Sequence, residues 1–401
     1  MDASLLTLFW EGFELDSYEL LGTHSLLIRL KPDPSRLPCC SGCGQSTFRL
    51  HDTSCRRVRE RDLLQYRVWL EVPVRRVRCP ACGPRREQID WLAGRQPLTR
   101  AMVRWVETLV CLLPIKHVAD LVGLHWHTVK AIDLGRLHRD IAAPDLSRVR
   151  RLIMDEFALY KGHRYATVAI CADTQQVLWI GEGRSREAVR PFFEWMGKQA
   201  CARIEAVAMD MNTAMDLEVQ THCPNARVVY DLFHVVAKFG REVVDRIRVD
   251  QANRLKADPA GRRAIKRSRW LLLRNRQNLD KPQTLKLDEL LAANTPLMTA
   301  YLLKTQLKEL WYAPSEHEAR RRWNEWFRLA QESGLQPLQA FARRLKAYVE
   351  GIVSSARFRL NTSVLEGMNN RIKVIKRMAY GYRDNTYFFL KIKAAFPGKV
   401  R

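Results

Sequence analysis

Hydrophobic and polar positions change their rhythm along this 401-residue chain, and each change marks a region. Short alternating pieces at Tyr18–Leu21 and Ser25–Leu30 predict β-structure, closed by Lys31-Pro-Asp-Pro34. A β-flavoured run from Leu64 to Val77 predicts a hairpin. From Leu98 to about Arg139 the apolar residues fall at helical spacing, at Val103, Val106, Val110, Val118, Leu121, Leu124, Val129 and Ile132. Strands and helices then alternate. Strands are expected near Arg151–Phe157, Tyr165–Ala172, Val177–Gly181, Ile204–Met209 and Arg227–Tyr230, with a helix from Ser185 to about Cys201, which together predict an α/β sheet with an antiparallel edge. No strand signal appears from Leu232 to Tyr348. That basic, tryptophan-bearing stretch (Trp270, Trp311, Trp323, Trp326) is too long for a loop and predicts an all-helical insertion. The tail reads as a helix from Ser363, a Gly-containing turn at Ala379–Asp384 and a short apolar end.

Composition changes this picture in one respect. The chain holds 67 Lys and Arg against 43 Asp and Glu, a formal charge of +24 on what is otherwise a globular composition. Such an excess on folded surface points to a polyanion, since Arg and Lys contacts to phosphate supply most nucleic-acid affinity. No run of about eighteen apolar residues occurs, and Met1-Asp-Ala-Ser-Leu5 lacks the features of a signal peptide, so a soluble, cytoplasmic protein with no membrane partner is expected. In that compartment the ten cysteines read as thiols or metal ligands, not disulfides.

Four of them form Cys40-Ser-Gly-Cys43 and Cys79-Pro-Ala-Cys82, each pair followed by glycine. Two-residue spacing lets one tight turn present both thiolates to a tetrahedral ion, so one structural Zn²⁺ is expected. Cys39 competes with Cys40 for that role, and Cys55 or His51 could replace one member. Lys116 to Ile132 has the helix, glycine turn, helix layout around Gly123, with Ala119 small at the crossing. A second helix of this kind enters the major groove by its N-terminal residues, here Trp126, His127, Thr128 and Lys130. The alternative is a helical hairpin that merely packs.

Three apolar runs end in aspartate, at Asp155, Asp210 and Asp231. Carboxyl ends of neighbouring strands can bring such acids to metal-bridging distance, where two Mg²⁺ ions drive in-line phosphodiester chemistry. Asp231, opening Asp-Leu-Phe-His, also fits a helix cap. From Ser363 to Arg377, Leu365, Met368, Ile372 and Ile375 form one apolar stripe, while Glu366, Asn370, Lys373 and Arg377 share the other face.

These features in this order, with Tyr160-Lys-Gly-His-Arg-Tyr165, Met209-Asp-Met211, Tyr230-Asp-Leu-Phe-His-Val-Val236 and Val364-Leu-Glu-Gly-Met-Asn-Asn-Arg-Ile-Lys-Val-Ile-Lys-Arg-Met-Ala-Tyr-Gly-Tyr382-Arg-Asp384, resemble the transposases of the ISL3 insertion-sequence family from about residue 38 to 396. The last block is the most specific. The resemblance implies a DDE transposase whose ribonuclease-H-like core is interrupted by the helical insertion, with Asp155, Asp210 and Glu366 as the catalytic acids holding two Mg²⁺ ions (or Mn²⁺) and Asp231 and His234 in support. It implies binding of terminal inverted repeats and target DNA, Mg-dependent strand cleavage and strand transfer, and at least a dimer on DNA. Asn370, Arg371, Lys373, Lys376 and Arg377 would meet phosphates. One departure is Arg61-Asp-Leu-Leu64, where the family commonly has a His-Leu-Pro-like stretch.

The domains expected are an N-terminal segment 1–37, a zinc-binding module 38–95, a helix-turn-helix domain 96–145, a catalytic core 146–240 continued at 351–401, and the insertion 241–350. Two rival functions remain: a sequence-specific DNA-binding regulator with an inactive core, and a structure-selective DNA nuclease.

Overall fold

The computed structural model describes residues 8–94, 96–160, 162, 164–360 and 363–399, with the side chains of Ser363, Leu365 and Glu366 outside the described set. The chain divides into two compact units, one of residues 1–140 with 376–387 and one of 141–375 with 388–401.

The first unit begins with a five-stranded sheet: β1 (Phe13–Leu20), β2 (Ser25–Pro32), β3 (Leu50–Arg59), β4 (Arg67–Cys79) and β5 (Gly83–Arg86). Its order is β1-β2-β4-β3, with β5 on the far end of β4. Strand β4 alternates strictly, so Val68, Leu70, Val72 and Val74 share one buried face and pack with Trp10, Phe13, Ile28, Leu30 and Val58. Within the expected N-terminal segment 1–37, Phe13–Pro32 therefore does not stand apart from the cysteine module. Residues Ser25–Arg29 pair in parallel with Arg67–Glu71, which places β1 and β2 in the same sheet as the cysteine module. The predicted Leu64–Val77 hairpin is corrected too: Arg67–Cys79 is one continuous strand, and it pairs antiparallel with β3 across the connection of residues 60–66.

Three helices follow: α1 (Arg100–Leu112), α2 (Ile115–Val122) and α3 (Trp126–Asp140). Thr99 caps α1 by accepting the Met102 N–H. Met102, Val106, Val118, Ala119, Val122, Val129 and Ile132 close a core of their own. Between α2 and α3 sits Gly123 at φ 65°, and a Cβ there would lie 2.8 Å from the Arg67 guanidinium carbon. Arg59, almost fully buried, ties this core to the sheet: its guanidinium donates to the carbonyls of Val68 (3.1 Å) and Val122 (3.3 Å) and pairs with Asp62. Residues 376–387 belong here too. Asp384 pairs with Lys130 at 2.7 Å, and the Tyr387 hydroxyl donates to buried Asp133.

The second unit is built on β6 (Arg151–Tyr160), β7 (Arg164–Cys171), β8 (Val177–Glu182), β9 (Ala206–Met209) and β10 (Arg227–Tyr230), in the order β10-β9-β6-β7-β8. β6, β9 and β10 run parallel, whereas β6, β7 and β8 are antiparallel. Helices α4 (Arg186–Ala202) and α5 (Thr213–His222) provide the crossovers. Ser185 and Asn212 cap them. The insertion runs as α6 (Leu232–Phe239), joined through a π-turn at Gly240–Val244 to α7 (Asp245–Arg254), then α8 (Pro259–Arg267), α9 (Arg269–Leu273), α10 (Lys281–Ala292), α11 (Thr295–Glu309), α12 (Glu316–Glu332), α13 (Gln336–Leu345) and α14 (Val349–Phe358). Trp323 and Trp326 are buried with Leu307 and Phe341 in a core continuous with the sheet, but Trp270 stays exposed. Close packing of α14 on β10 uses Gly351, where a Cβ would meet the Tyr230 ring at 2.4 Å. Helices α15 (Ser363–Met378) and α16 (Asn385–Ala395) complete the chain. Among the described residues no helix is long and apolar enough to cross a membrane.

Candidate functional site

The cysteine cluster forms locally. The Sγ atoms of Cys40, Cys43, Cys79 and Cys82 lie within 4.8 Å of one another, with Cys43 and Cys79 at 3.5 Å. Four thiolates at about 2.3 Å from one Zn²⁺ would stand about 3.8 Å apart, so the set fits a tetrahedral zinc. Gly42 keeps the knuckle tight, since a Cβ there would sit 3.1 Å from the Cys82 sulfur. Backbone N–H groups of Gly42 and Cys43 hold the Cys40 thiol down to about 7, favouring the thiolate a metal needs. The choice between Cys39 and Cys40 goes to Cys40, because Cys39 Sγ turns instead to Ser46 Oγ at 3.3 Å. Cys55 lies on β3 and, like His51, outside this cluster.

On the first turn of α3, Trp126 and His127 are exposed and stacked with ring centroids 3.6 Å apart; Thr128 is half-buried. Lys130 also lies on α3, as expected, but carries an internal contact. Its ammonium is held by Asp384 and lies 5.2 Å from the Tyr387 ring, because residues 376–387 pack on α3.

The acids of the second unit gather through sheet register. Arg151, Leu152 and Ile153 pair with Ala206, Val207 and Ala208, so Asp155 and Asp210 stand at matching positions on adjacent parallel strands. Tyr230 pairs with Met209, which sets Asp231 beside Asp210. Neighbouring strands lie about 4.8 Å apart, so three aspartates from distant sequence form one row. Asp155 is not at the end of its strand as the apolar run suggested. β6 continues to Tyr160 as the arm of a hairpin with β7, while β9 stops at Met209, which leaves the Asp155 position uncovered on that side.

The row lines an open cleft of about 1260 Å³, shared with Asn369, Asn370 and Lys373 of α15. Asp155 Oδ1 accepts the Glu156 N–H and Oδ2 accepts the Asn369 amide, both at 2.7 Å. Burial pushes the Asp155 carboxyl up to about 6; the Glu156 N–H opposes this and the nearby Asp210 charge adds to it. His234 Nδ1 lies 2.7 Å from Asp210 Oδ2 and its Nε2 lies 3.8 Å from Asp231 Oδ2. The Asp210 contact raises the imidazole pKa, which favours the protonated ring. One oxygen from Asp210, one from Asp231 and a ring nitrogen of His234 fall within 4.8 Å of one another. Asp231 is also the cap of α6, accepting the Phe233 N–H at 2.9 Å, as its position before Leu-Phe-His suggested. Hard oxygen donors suit Mg²⁺ or Mn²⁺. The other end of the same amide, Asn369 Oδ1, is buried with no hydrogen-bond partner among the described residues.

Of the other positions named from sequence, Glu366 lies on α15 with its side chain outside the described residues. Asn370 and Lys373 line the cleft. The Arg371 guanidinium sits 5.1 Å from the Phe396 ring instead, and Lys376 and Arg377 fall within the first unit. Sequence reasoning gave no role to Glu156, Asn212, Arg184 or Asn369. Asn212 caps α5 through its Oδ1 and donates to Glu156 Oε1, while Glu156 Oε2 faces Arg184 at 3.5 Å. The cap was legible in Asp210-Met-Asn-Thr213, and Asn369 follows Glu366 by three residues, less than one helical turn.

Comparison with known proteins agrees with this architecture. Residues 152–392 match the ISL3 transposase family model, residues 36–82 a zinc finger of transposases of the IS204, IS1001, IS1096 and IS1165 type, and residues 87–135 the helix-turn-helix domain of transposase family ISL3. The transposase for insertion sequence element IS1001 of Bordetella parapertussis is 51% identical, covering 98% of this chain and 97% of the relative. The transposase for element IS1557 of Mycobacterium tuberculosis is 26% identical, covering 93% and 89%. With a Cys₄ zinc ribbon, a helix-turn-helix and a transposase domain in that order, this chain belongs to the ISL3 family of transposases.

Proposed function

We propose that the zinc ribbon and helix-turn-helix bind the terminal inverted repeats of an insertion sequence, and that the cleft of the second unit cleaves DNA at the element's ends and joins the freed 3′-hydroxyls to target DNA. One observation carries this reading: sheet register brings Asp155, Asp210 and Asp231 from three neighbouring parallel strands into one row, with the Asn369 amide donating to Asp155. Asp155, Asp210 and Glu366 would hold two Mg²⁺ ions, which activate the attacking oxygen and stabilise the leaving one. The chain's own groups set the frame. Glu156 N–H and Asn369 fix both oxygens of Asp155, and His234 orients Asp210 through its Nδ1. Lys373 and Asn370 supply contacts for the phosphates of the bound strand. Exposed Trp126 and His127 on α3 face base edges in the major groove. Synapsis of two ends requires at least a dimer.

Purified protein with Asp155→Asn, Asp210→Asn or Glu366→Gln keeps end binding in a mobility-shift assay and loses Mg²⁺-dependent cleavage by on the order of a thousandfold or more. Undiminished cleavage by any one of the three overturns the assignment of that acid.

A further inference from the structure

The insertion reaches the cleft at a definite place. Trp311, two residues beyond α11, donates its indole N–H to the Tyr230 carbonyl at 2.9 Å, and Tyr230 immediately precedes Asp231. That bond pins the end of α11 against the end of β10. Its neighbour Tyr312 is thereby set into the cleft wall, with 75% of its surface exposed. Phe233, held by the Asp231 cap, lines the same cleft with 67% exposed. Both rings thus stand bare among the carboxylates, amides and cations of one cleft, Phe233 keeping only an edge-on contact with the His234 ring at 5.6 Å among the described residues.

A cation accompanies the rings. Lys308 lines the cleft one turn before Tyr312 and meets Asn275 through Oδ1. Asn275 carries no charge, and among the described residues no carboxylate pairs with Lys308, so its positive charge is uncompensated. Lys304, a turn earlier on the same face of α11, is buried and donates to the carbonyls of Leu272 and Arg274. The Leu272–Asn275 turn and α11 are thus locked together, which fixes where the Lys308 ammonium sits.

We propose that the helical insertion supplies a subsite for one unpaired nucleotide, whose base stacks on Tyr312 and Phe233 and whose phosphate is taken by Lys308. A π-face and an adjacent ammonium match a nucleotide, and the base must be unpaired because a base within the duplex stack offers no free face. The subsite rests on the DNA-cleaving reading only for its location: a base extruded at the junction between element and flank would lie beside the acid row.

The test uses photo-crosslinking, which requires no catalysis. The full-length protein is bound in Ca²⁺ to duplexes carrying an element end and its flank, with 5-iodouracil stepped through the junction. This base couples to an aromatic ring on which it is stacked. Cross-linked peptides from one junction position contain Tyr312 or Phe233. The yield drops about tenfold in Tyr312→Ala and is kept in Tyr312→Phe, as expected when a single stacking contact is lost. In Mg²⁺, Tyr312→Ala and Lys308→Ala cleave a fully paired junction about tenfold more slowly, and a mismatch at the mapped position restores Tyr312→Ala to within about threefold of wild type. A general structural defect would slow paired and mismatched substrates alike. Binding with no cross-link to either ring at any junction position, or no mismatch rescue, overturns the subsite and leaves the cleavage reading intact. Cross-linking to Tyr312 by a wild-type protein that cuts nothing overturns the cleavage reading while the subsite stands.

Discussion

The zinc ribbon and the acid cleft are both clusters of candidate ligands, but they are assembled in opposite ways. Each half of the ribbon's set comes from one tight turn, so a four-residue motif already carries half the geometry. The cleft's acids come from Asp155, Asp210 and Asp231, which meet only because β6, β9 and β10 lie side by side in parallel. The sulfur cluster belongs to the stability of its fold, whereas the row of like charges is held at a cost by a fold that stands without it. The difference teaches that a metal site can be an input to folding or an output of it.

The largest expected effect separates the two directly. The sheet around Cys40 to Cys82 has a modest core, and structural zinc contributes an apparent 10 kcal/mol or more in small zinc domains. Removing zinc with phenanthroline, or replacing Cys79 with Ser, abolishes end binding and the strand signal of the first unit in circular dichroism. The melting transition of the second unit stays in place. A chelator that lowers both transitions equally would show that the ribbon does not fold as a unit of its own.

A second contrast lies between two buried acids of the same unit. Glu218, fully buried on α5, is held by Arg186 at 2.8 Å, Arg190 at 3.3 Å and His222 at 3.3 Å. Burial alone would push its carboxyl up, but the Arg190 and Arg186 contacts outweigh it and hold the pKa below the ordinary value. Its pairing therefore stabilises the fold above the unfolded pKa near 4.5, and that stability is lost as pH falls through the lower folded value. Glu218→Ala destabilises the second unit by about 3 kcal/mol at pH 7, read by urea unfolding, with the difference from wild type shrinking below about pH 4.5.

Asp155 has the opposite sign. Its folded carboxyl titrates near 6, above the unfolded value of 3.8, so the folded state holds the proton more tightly and ionisation costs stability. The penalty is absent below about pH 4 and complete above about pH 6. Asp155→Asn in Mg²⁺-free buffer therefore stabilises the second unit by about 2 kcal/mol at pH 7.5, and the gain disappears on lowering the pH to 4. A destabilised variant at pH 7.5 would mean that the Asn369 contact outweighs the burial penalty, and the acid row would lose its standing as a site held at a cost to the fold.

What could be foreseen from the sequence follows the same division. The cysteine knuckles, the helix-turn-helix around Gly123 and the helical insertion each announce themselves within a short window. Nothing local shows that β2 pairs in parallel with β4, since that pairing joins residues about forty positions apart. The Asp210, Asp231 and His234 cluster was half-visible: each acid follows an apolar run, but their neighbourhood depends on strand order. The docking of Tyr387 on Asp133 spans 254 residues and has no periodic signal at all. It moves residues 376–387 out of the region to which the sequence assigned them.

That docking yields the smallest expected effect. Lys130 has the right position on α3 for a DNA contact, yet Asp384 holds its ammonium at 2.7 Å, with the lysine side chain 23% and the aspartate 44% exposed. A pair of this exposure contributes about 0.5 kcal/mol, so Lys130→Ala leaves the melting temperature nearly unchanged. The informative measurement is the salt dependence of end binding. Each phosphate neutralised by a cation adds about 0.9 to the slope of log affinity against log salt concentration. If Lys130 serves the internal pair, Lys130→Ala keeps the wild-type slope. If the slope falls by about 1, the pair opens on DNA, and Asp384→Asn, which frees the lysine beforehand, tightens end binding while keeping that slope. The two variants together decide whether this cation holds the first unit together or meets the DNA.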